Sequence, residues 1–154
     1  MRPASQEEVF IFTLMGQTLL NIQVLEDTLS RSITLKVDVG HPRKISIAEV
    51  DELLKKRQSF TLGKAVGVVT EQSLYSEDIR AALGSLVTER NWFVHKSLDD
   101  FYIPVRREVL VKRLNGMALE AHRLQRAIED DLIAYSESNG LDMSAVRAQI
   151  KDFY

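Results

Sequence analysis

Apolar residues recur at intervals of three and four along most of this chain, and no alternating run of convincing strand length is present. Only three prolines and seven glycines interrupt the pattern. An apolar residue at every third or fourth position places one apolar stripe along a helix, which must be buried against other helices. We therefore predict an all-α fold.

The first predicted helix begins at Ser5 and runs to about Lys36. Ser5 and Glu8 have the spacing of a capping box, in which each side chain bonds to the backbone of the other residue. The segment Gly40-His41-Pro42 then predicts a turn, since glycine ends helices and proline disfavours helix at the preceding residue. The predicted inward stripe of this helix consists of Val9, Phe12, Leu19, Ile22, Leu29 and Ile33, broadened by Met15, Val24 and Leu25.

Two short helices are predicted next. Ser46 and Glu49 form a second capping box, which opens a helix that runs to about Arg57. Thr61 caps the other short helix, predicted over Leu62–Gln72. These elements are too short to form a core alone and must pack on the longer helices.

A long helix is predicted to begin at Ser76 and to run to about Lys96, and we call it the motif helix. Asp99–Tyr102 is predicted to be a connection, and Pro104 suits the first turn of the helix that follows. That next helix has the most regular apolar stripe in the chain: Leu110, Leu114, Met117, Ala121, Leu124, Ile128, Leu132 and Tyr135.

The end of this longest helix is predicted at Asn139-Gly140, because glycine is the preferred residue just beyond a helix. Asp142 or Ser144 then caps a terminal helix that is predicted to reach Tyr154. No internal repeat or linker divides the 154 residues, so we predict a single domain over 1–154.

Composition narrows the functional classes. With no cysteine, the chain has neither disulfides nor thiolate metal sites. A net charge of −2 argues against indiscriminate nucleic-acid binding, so any RNA contact requires a local basic patch. The first residues lack the apolar run of a signal peptide, and no uninterrupted apolar stretch of about 18 residues is present to span a bilayer. We expect a cytoplasmic protein without a membrane partner.

The candidate chemistry lies in Glu89–Lys96, near the predicted end of the motif helix. Asn91 precedes His95 by four residues, so the two share one helix face. Arg90 precedes His95 by five residues and lies about 140° away around the axis. Arg90 also continues the inward line of Ile79, Leu83 and Leu86. An unpaired charge on such an apolar line is costly. Arg90 therefore needs a carboxylate, an anion or a symmetry mate.

The pattern Arg90-Asn91-x-x-x-His95 resembles the signature of the HEPN superfamily of small helical proteins, many of which are metal-independent endoribonucleases. The upstream segment 53–64, with Thr61 and Gly63 at a helix start, is similar to uncharacterised HEPN-type proteins. The resemblance covers about the middle third of the chain. It does not extend to the toxin branch paired with nucleotidyltransferase antitoxins, since Ser97 stands where that branch has tyrosine.

The resemblance implies a HEPN-like helical bundle of four to six helices with two long antiparallel helices. It implies an endoribonuclease that acts as a homodimer without metal or cofactor, with Arg90, Asn91 and His95 as catalytic residues. RNA would be the substrate, and a toxin–antitoxin or phage-defence system would supply an antitoxin or other regulatory partner. The basic residues expected to contact the phosphates are Lys96, Arg106, Arg107 and Arg113.

Each of these residues also has an ordinary structural interpretation. A histidine near a helix end commonly caps or packs, and Trp92 with Phe93 fills a core or dimer interface more often than it stacks an RNA base. The alternative functions are therefore a non-catalytic HEPN-like module that binds RNA or a nucleotide, and a helical interaction module with a chance motif. A salt bridge from Arg90 to Glu89 or Asp99 would favour the interaction module.

Overall fold

The computed structural model describes residues 2–40 and 45–153, without the side chains of 152 and 153. Within these residues the only regular secondary structure is helical, so the predicted all-α class is confirmed. The elements are α1 (Gln6–Ile33), a π-helical turn (Thr34–Val39), α2 (Ile47–Gln58), α3 (Leu62–Glu71), α4 (Glu77–Tyr102), a 3₁₀ turn (Pro104–Arg106), α5 (Arg107–Ser138) and α6 (Ser144–Phe153). The predicted turn residues His41 and Pro42 and the terminal Tyr154 lie outside the described residues.

Short polar side chains define where the helices begin, as the sequence predicts. Ser5 and Ser46 each form a complete capping box with the glutamate three residues later. Thr61 and Ser76 accept a hydrogen bond from the third backbone N–H of α3 and α4. At the other end of α5, Gly140 adopts a φ of +84°, a conformation that glycine reaches without the penalty of a Cβ atom.

Helix α5 is the centre of the bundle and packs most extensively against α1 and then against α4. Thr18 Oγ1 donates to the Leu114 carbonyl at 3.2 Å and Asn21 Nδ2 donates to the Ala118 carbonyl at 3.2 Å, so α1 and α5 run parallel. The short 3₁₀ turn reverses the chain between α4 and α5, which therefore run antiparallel. The bundle thus contains a long antiparallel pair, α4 with α5, and a long parallel pair.

Helix α3 bridges α1 and α4 at one end of the bundle only. The Leu62 backbone N–H donates to Glu26 of α1 at 3.0 Å, and the Cβ position of Gly63 lies 3.6 Å from Val87 of α4. The first half of α1 and the second half of α4 extend beyond this bridge. We call this uncovered part of the bundle the open side, and its residues are Phe12, Met15 and Leu19 on α1 with Arg90, Val94 and Leu98 on α4.

The core consists of two neighbouring apolar clusters that share Trp92 and Phe93 at their boundary. Six of the eight predicted α5 stripe residues are buried, and Leu132 and Tyr135 are half-buried. The buried six are Leu110, Leu114, Met117, Ala121, Leu124 and Ile128. On α5 the apolar residues and the charged residues lie on opposite faces, so only one face can be buried in the core.

The predicted inward stripe of α1 is partly wrong. Ile11 and Leu14 are buried, whereas Val9, Phe12 and Leu19 of the predicted stripe are exposed. The apolar residues in the first half of α1 surround the helix, so their spacing alone does not select a face. Contact with α5 selects it, because the parallel packing turns the Ile11–Leu14–Thr18 line towards α5.

Two predicted boundaries also differ. The regular α-helix ends at Ile33, and a π-helical turn continues to Val39. The predicted connection Asp99–Tyr102 is instead the last turn of α4, which ends at Tyr102 before Pro104. Phe101 explains the extension: it is buried and its ring centroid lies 4.9 Å from that of Phe12, so packing outweighs the polar composition of the turn.

The segment Gln6–Val39 is long and apolar enough to span a membrane by length and composition, with about a third of its most apolar window buried. The core helix of a soluble protein and a signal sequence have the same length and composition. The segment therefore does not by itself assign the protein to a membrane, and polar residues such as Thr13, Gln17 and Asn21 interrupt its apolar residues.

The Glu8 carboxylate provides a test of how the start of α1 is held. Arg2 binds it through two hydrogen bonds of 2.6 and 3.0 Å, the Ser5 N–H donates to it at 2.8 Å, and Arg107 lies 3.3 Å away. These contacts, with the Arg2 hydrogen bonds the largest cause, lower the pKa of Glu8 to about 2 from its usual 4.5. The folded state therefore gains stability above pH 4.5 that is lost as pH falls through 2.

We expect Glu8→Gln to lower the thermal midpoint at pH 7, because a neutral amide loses the charge-assisted bonds to Arg2 and Arg107. The difference from wild type should shrink between pH 4.5 and pH 2, as measured by circular dichroism melts. Glu49→Gln, at the exposed capping box of α2, is the matched control and should cost less. An equal loss at pH 7 and pH 2 would contradict this assignment.

Candidate functional site

The predicted motif residues occupy the middle of α4, just beyond the bridge formed by α3. Arg90 is half-buried, one turn after the buried Leu86, whereas Asn91, His95 and Lys96 are exposed. The predicted line of Leu83, Leu86 and Arg90 is therefore the inward side of this helix. Within one chain the guanidinium lies towards the open side, and the imidazole lies on the solvent face.

Arg90 makes no hydrogen bond or ion pair with any residue that the structure describes. Its neighbour Glu89 bonds to Arg113 instead, and no bond joins Arg90 to Asp99 in the described part of the chain. The guanidinium is thus a half-buried cation without a counter-ion among the described residues. Such a group attracts an anion, because a partly desolvated charge gains more from pairing than a fully hydrated one.

Glu89, Arg113 and Trp92 form one interlocked unit between α4 and α5. Arg113 donates two hydrogen bonds to the Glu89 carboxylate, at 2.6 and 2.9 Å, and these bonds hold the pKa of Glu89 below its usual value. The guanidinium carbon of Arg113 also lies 3.6 Å from the centre of the Trp92 ring. Arg113 is therefore held within the protein, and Trp92 has one ring face covered by it.

The two other predicted phosphate-binding arginines are also paired. Arg107 bonds to Glu7 at 2.6 Å, to Glu8 at 3.3 Å and to the Phe101 carbonyl at 3.0 Å, so it joins the start of α5 to α1 and α4. Arg106 is more exposed and bonds to Asp100 at 3.3 Å. Lys96 is exposed and makes no hydrogen bond or ion pair with a described residue. The structure brings these four cations to one end of the bundle but not to one side of α4.

Asn91 and His95 share the exposed face of α4 but are not hydrogen-bonded to each other in the described structure. Arg90 lies about 140° from His95 around the axis and about 7.5 Å from it along the axis. One chain therefore presents the guanidinium and the imidazole to different surroundings. A site that uses both requires a ligand that wraps around the helix or a second chain.

Ser97 explains the departure from the toxin-branch pattern. Its side chain is buried and donates to the Phe93 carbonyl at 2.6 Å, within the same helix. A tyrosine at this buried position would have to displace neighbouring core atoms. The position two residues after His95 is thus a packing position in this protein.

Sequence inspection missed a second polar cluster, at the π-helical end of α1. Lys36 pairs with Asp131 of α5 and lies 4.9 Å and 5.4 Å from the ring centres of Tyr75 and Tyr135. Tyr75 donates to Ser32 Oγ at 2.5 Å, and burial is the main cause that raises its pKa to about 12. These residues are far apart in sequence, so only the fold reveals that the lysine is enclosed and fully paired.

No group of three His, Asp or Glu side chains in the described part of the chain is placed to hold a metal ion. Two described carboxylates near the motif, Glu89 and Asp100, are bonded to arginines. The chemistry available at the motif is therefore that of a guanidinium, an amide and an imidazole.

The Arg113–Trp92 contact can be tested directly, because Trp92 is the only tryptophan. We expect Arg113→Gln to shift the Trp92 emission to longer wavelength and to increase its quenching by iodide, since water replaces the guanidinium on the ring. The free energy of unfolding should fall by about 1 kcal/mol, the usual size of a half-exposed cation–π contact and ion pair.

Arg123→Gln is the matched control for this experiment. Arg123 also lies on α5 and pairs with a glutamate, Glu120, at 2.6 and 2.8 Å, but it contacts no aromatic ring. Its replacement should leave the Trp92 emission unchanged. A Trp92 spectrum that is the same in Arg113→Gln and wild type would overturn the contact.

Comparisons of this chain with family models, curated proteins and solved structures give no match. The candidate function therefore depends on the residues and contacts of the chain itself.

Proposed function

We propose that this protein is a metal-independent endoribonuclease of HEPN type, which acts as a homodimer with Arg90, Asn91 and His95 in its site. One observation carries the proposal: Arg90 is half-buried and without a counter-ion among the described residues, while Arg106, Arg107 and Arg113 are all paired. A half-buried guanidinium without a counter-ion, within the motif that resembles the HEPN signature, is suited to hold a phosphate through two hydrogen bonds.

The reaction proposed for this site is transesterification of RNA. A base removes the proton of a ribose 2′-hydroxyl, the 2′-oxygen attacks the adjacent phosphorus, and the bond from phosphorus to the 5′-oxygen breaks. A proton then passes to the leaving 5′-oxygen, which yields a 2′,3′-cyclic phosphate and a 5′-hydroxyl. No external oxidant, metal or water is required for this step.

Each motif residue has a distinct role in this proposal. His95 is exposed, so its imidazole can reach a substrate and serve as the acid or base of the reaction. Arg90 stabilises the charge that develops on the non-bridging phosphate oxygens. Asn91 is on the same face as His95 and orients the imidazole or the phosphate once RNA is bound. Lys96, also exposed, extends the positive surface next to His95.

The homodimer follows from the separation of Arg90 and His95 on α4. Because they lie about 140° apart, the proposed site combines the two copies of the motif helix across a two-fold axis. Two chains would also supply two imidazoles, one for each proton transfer. By the HEPN resemblance, the same proposal places this activity in a toxin–antitoxin or phage-defence system.

A binding module without catalysis is the second candidate, and one observation favours it. Asn91 makes no hydrogen bond to His95 in the described structure, so the imidazole is not held in one orientation. A catalytic base is usually oriented by a neighbouring group. In this candidate Arg90 binds the phosphate of RNA or of a nucleotide and no bond is broken.

We expect the purified protein to cleave single-stranded RNA in the presence of EDTA and to leave a 2′,3′-cyclic phosphate. His95→Ala should reduce the rate on the order of 10²–10⁴-fold, the usual contribution of a positioned acid or base. Asn91→Ala should reduce it less. Because both residues are exposed, the variants should melt like wild type by circular dichroism.

Two controls separate this activity from contamination. A substrate with a single deoxyribose at the cleaved position should resist, since it lacks the attacking hydroxyl. His122→Ala replaces a histidine on α5, away from the motif, and should leave the rate unchanged. Equal rates for wild type and His95→Ala, or cleavage only with added Mg²⁺, would overturn the catalytic proposal.

Phosphate binding at Arg90 is expected in both candidate functions. Titration with a short deoxyribonucleotide should change the emission of Trp92, two residues away, and Arg90→Lys should weaken binding because an ammonium lacks the two-pronged geometry. Arg123→Lys, at an exposed paired arginine, is the control. Binding that is equal in Arg90→Lys and wild type would show that the anion lies elsewhere.

A further inference from the structure

The exposed side of α1 lacks charge over an unusual length. Residues 9–25 contain no Asp, Glu, Lys, Arg or His. A helix that faces water normally carries charged residues on its outer face, as α5 does with Lys112 and Arg123. The large apolar residues that α1 exposes in this stretch are Val9, Phe10, Phe12, Leu19, Leu20 and Val24.

Part of this surface has the spacing of a helix–helix contact. Five residues follow one another at intervals of three, four, three and four, which is the repeat of a helix that packs lengthwise against another. All five are exposed, with Phe12 at 49% and Leu19 at 42%. We call them the α1 seam: Val9, Phe12, Gly16, Leu19 and Gln23.

Gly16, at the centre of the seam, has no function within the single chain. A Cβ atom placed on it would meet nothing within 4 Å, so the packing of this chain does not require a glycine there. Glycine inside a helix is unfavourable relative to alanine. An exposed glycine at the middle of an apolar repeat permits the backbone of a second helix to approach closely.

We propose that the α1 seam packs against the α1 seam of a second copy of this chain, antiparallel, with the two-fold axis at Gly16. An isologous contact places two identical surfaces together, so any charged residue at its centre would face a like charge. The α1 seam contains no charged residue, so the two copies do not repel each other. The arrangement sets Val9 beside Gln23 of the partner subunit and Phe12 beside Leu19 of the partner subunit. The interface deepens the homodimer of the proposed function, and its link to a shared site rests on that function.

The adjoining surface of α4 completes the interface. The seam is about 22 Å long, and a contact between two single helices of that length falls short of the roughly 800 Å² per partner typical of a stable dimer. Phe12 contacts Phe101, and Leu98 lies one turn before Phe101 on α4. Val94 and Leu98 are exposed at 49% and 56% and are covered in the same dimer. The second half of the motif helix therefore lies beside the interface.

The test is the oligomeric state of seam variants, measured by sedimentation at micromolar concentration. We expect wild type to be a dimer and Leu19→Arg to weaken it on the order of 100-fold, as for a central interface residue. Ile47→Arg adds the same charge at a more exposed apolar residue of α2 and should remain dimeric. A monomeric wild type, or a dimer unaffected by Leu19→Arg, overturns the proposal.

The variant Gly16→Leu distinguishes a close helix crossing from non-specific hydrophobic association. The open space at Gly16 accepts the side chain in the single chain, so the fold and its thermal midpoint should be kept or improved. A close crossing is disrupted by leucine, and we expect a weaker dimer. Unchanged or stronger association of Gly16→Leu would overturn the close crossing at Gly16.

The orientation can be measured by cross-linking, because the chain has no cysteine. Under mild oxidation Gly16→Cys should form a covalent dimer, and Ile47→Cys should not. In the antiparallel arrangement the double variant Val9→Cys/Gln23→Cys cross-links, whereas Val9→Cys alone does not. Cross-linking of Val9→Cys alone would show a parallel pair and overturn the proposed geometry.

Two further measurements keep the outcomes for function and interface apart. His95→Ala should lose cleavage but remain a dimer. A wild-type dimer that cleaves no RNA would overturn the catalytic function and leave the proposed interface standing. A monomer that cleaves RNA overturns the interface and the two-chain site, and leaves only the catalytic activity standing. If wild type is monomeric and sediments with phosphatidylcholine–phosphatidylglycerol vesicles, the exposed apolar face of α1 binds lipid. That result would overturn the proposed contact between two chains.

Discussion

The apolar stripe of α5 is the constraint on which the rest of the structure depends. One continuous line of buried residues, from Leu110 to Ile128, must be covered along its whole length. Two helices share this task, α1 in parallel and α4 in antiparallel orientation. Both helices pack on the same central helix, α3 bridges them near one end, and Phe12 of α1 contacts Phe101 of α4 near the other.

The position of Arg90 follows from the length of α3. The bridge begins at Leu62, which contacts Glu26, and its Gly63 reaches Val87 on α4. Arg90 lies one turn further along α4, where the bridge has ended, so its side chain is half-buried and its charge keeps some hydration. Lys36 shows the opposite solution: it is enclosed, and Asp131 with two tyrosine rings compensates its charge. The chain thus compensates one inward cation internally, whereas the other has no counter-ion among the described residues.

The sequence predicts those features for which one face of a helix has an unambiguous composition. On α5 the apolar stripe stands opposite charged residues such as Lys112 and Arg123, so its buried face was predictable. On α1 the apolar residues surround the helix, and only contact with α5 buries Ile11 instead of Phe12. Phe101 also shows that tertiary contacts can outweigh local composition. Its burial extends α4 through a polar segment that was predicted to be a connection. The inward position of Arg90 followed from its spacing to Leu86, whereas the pairing of Arg113 with Glu89 depends on the crossing of two helices.

The uncompensated cation and the uncharged seam lie on the same side of the bundle, and one partner would satisfy both. If two chains meet along α1 and the end of α4, two copies of Arg90 approach the same interface and repel each other unless an anion lies between them. A phosphate bound there would favour the dimer, and by reciprocity the dimer would bind phosphate more tightly than a single chain does. Neither effect requires a change in the fold of one chain. The proposed assembly and the proposed site would then be two parts of one equilibrium, in which RNA strengthens the interface that completes its own binding site.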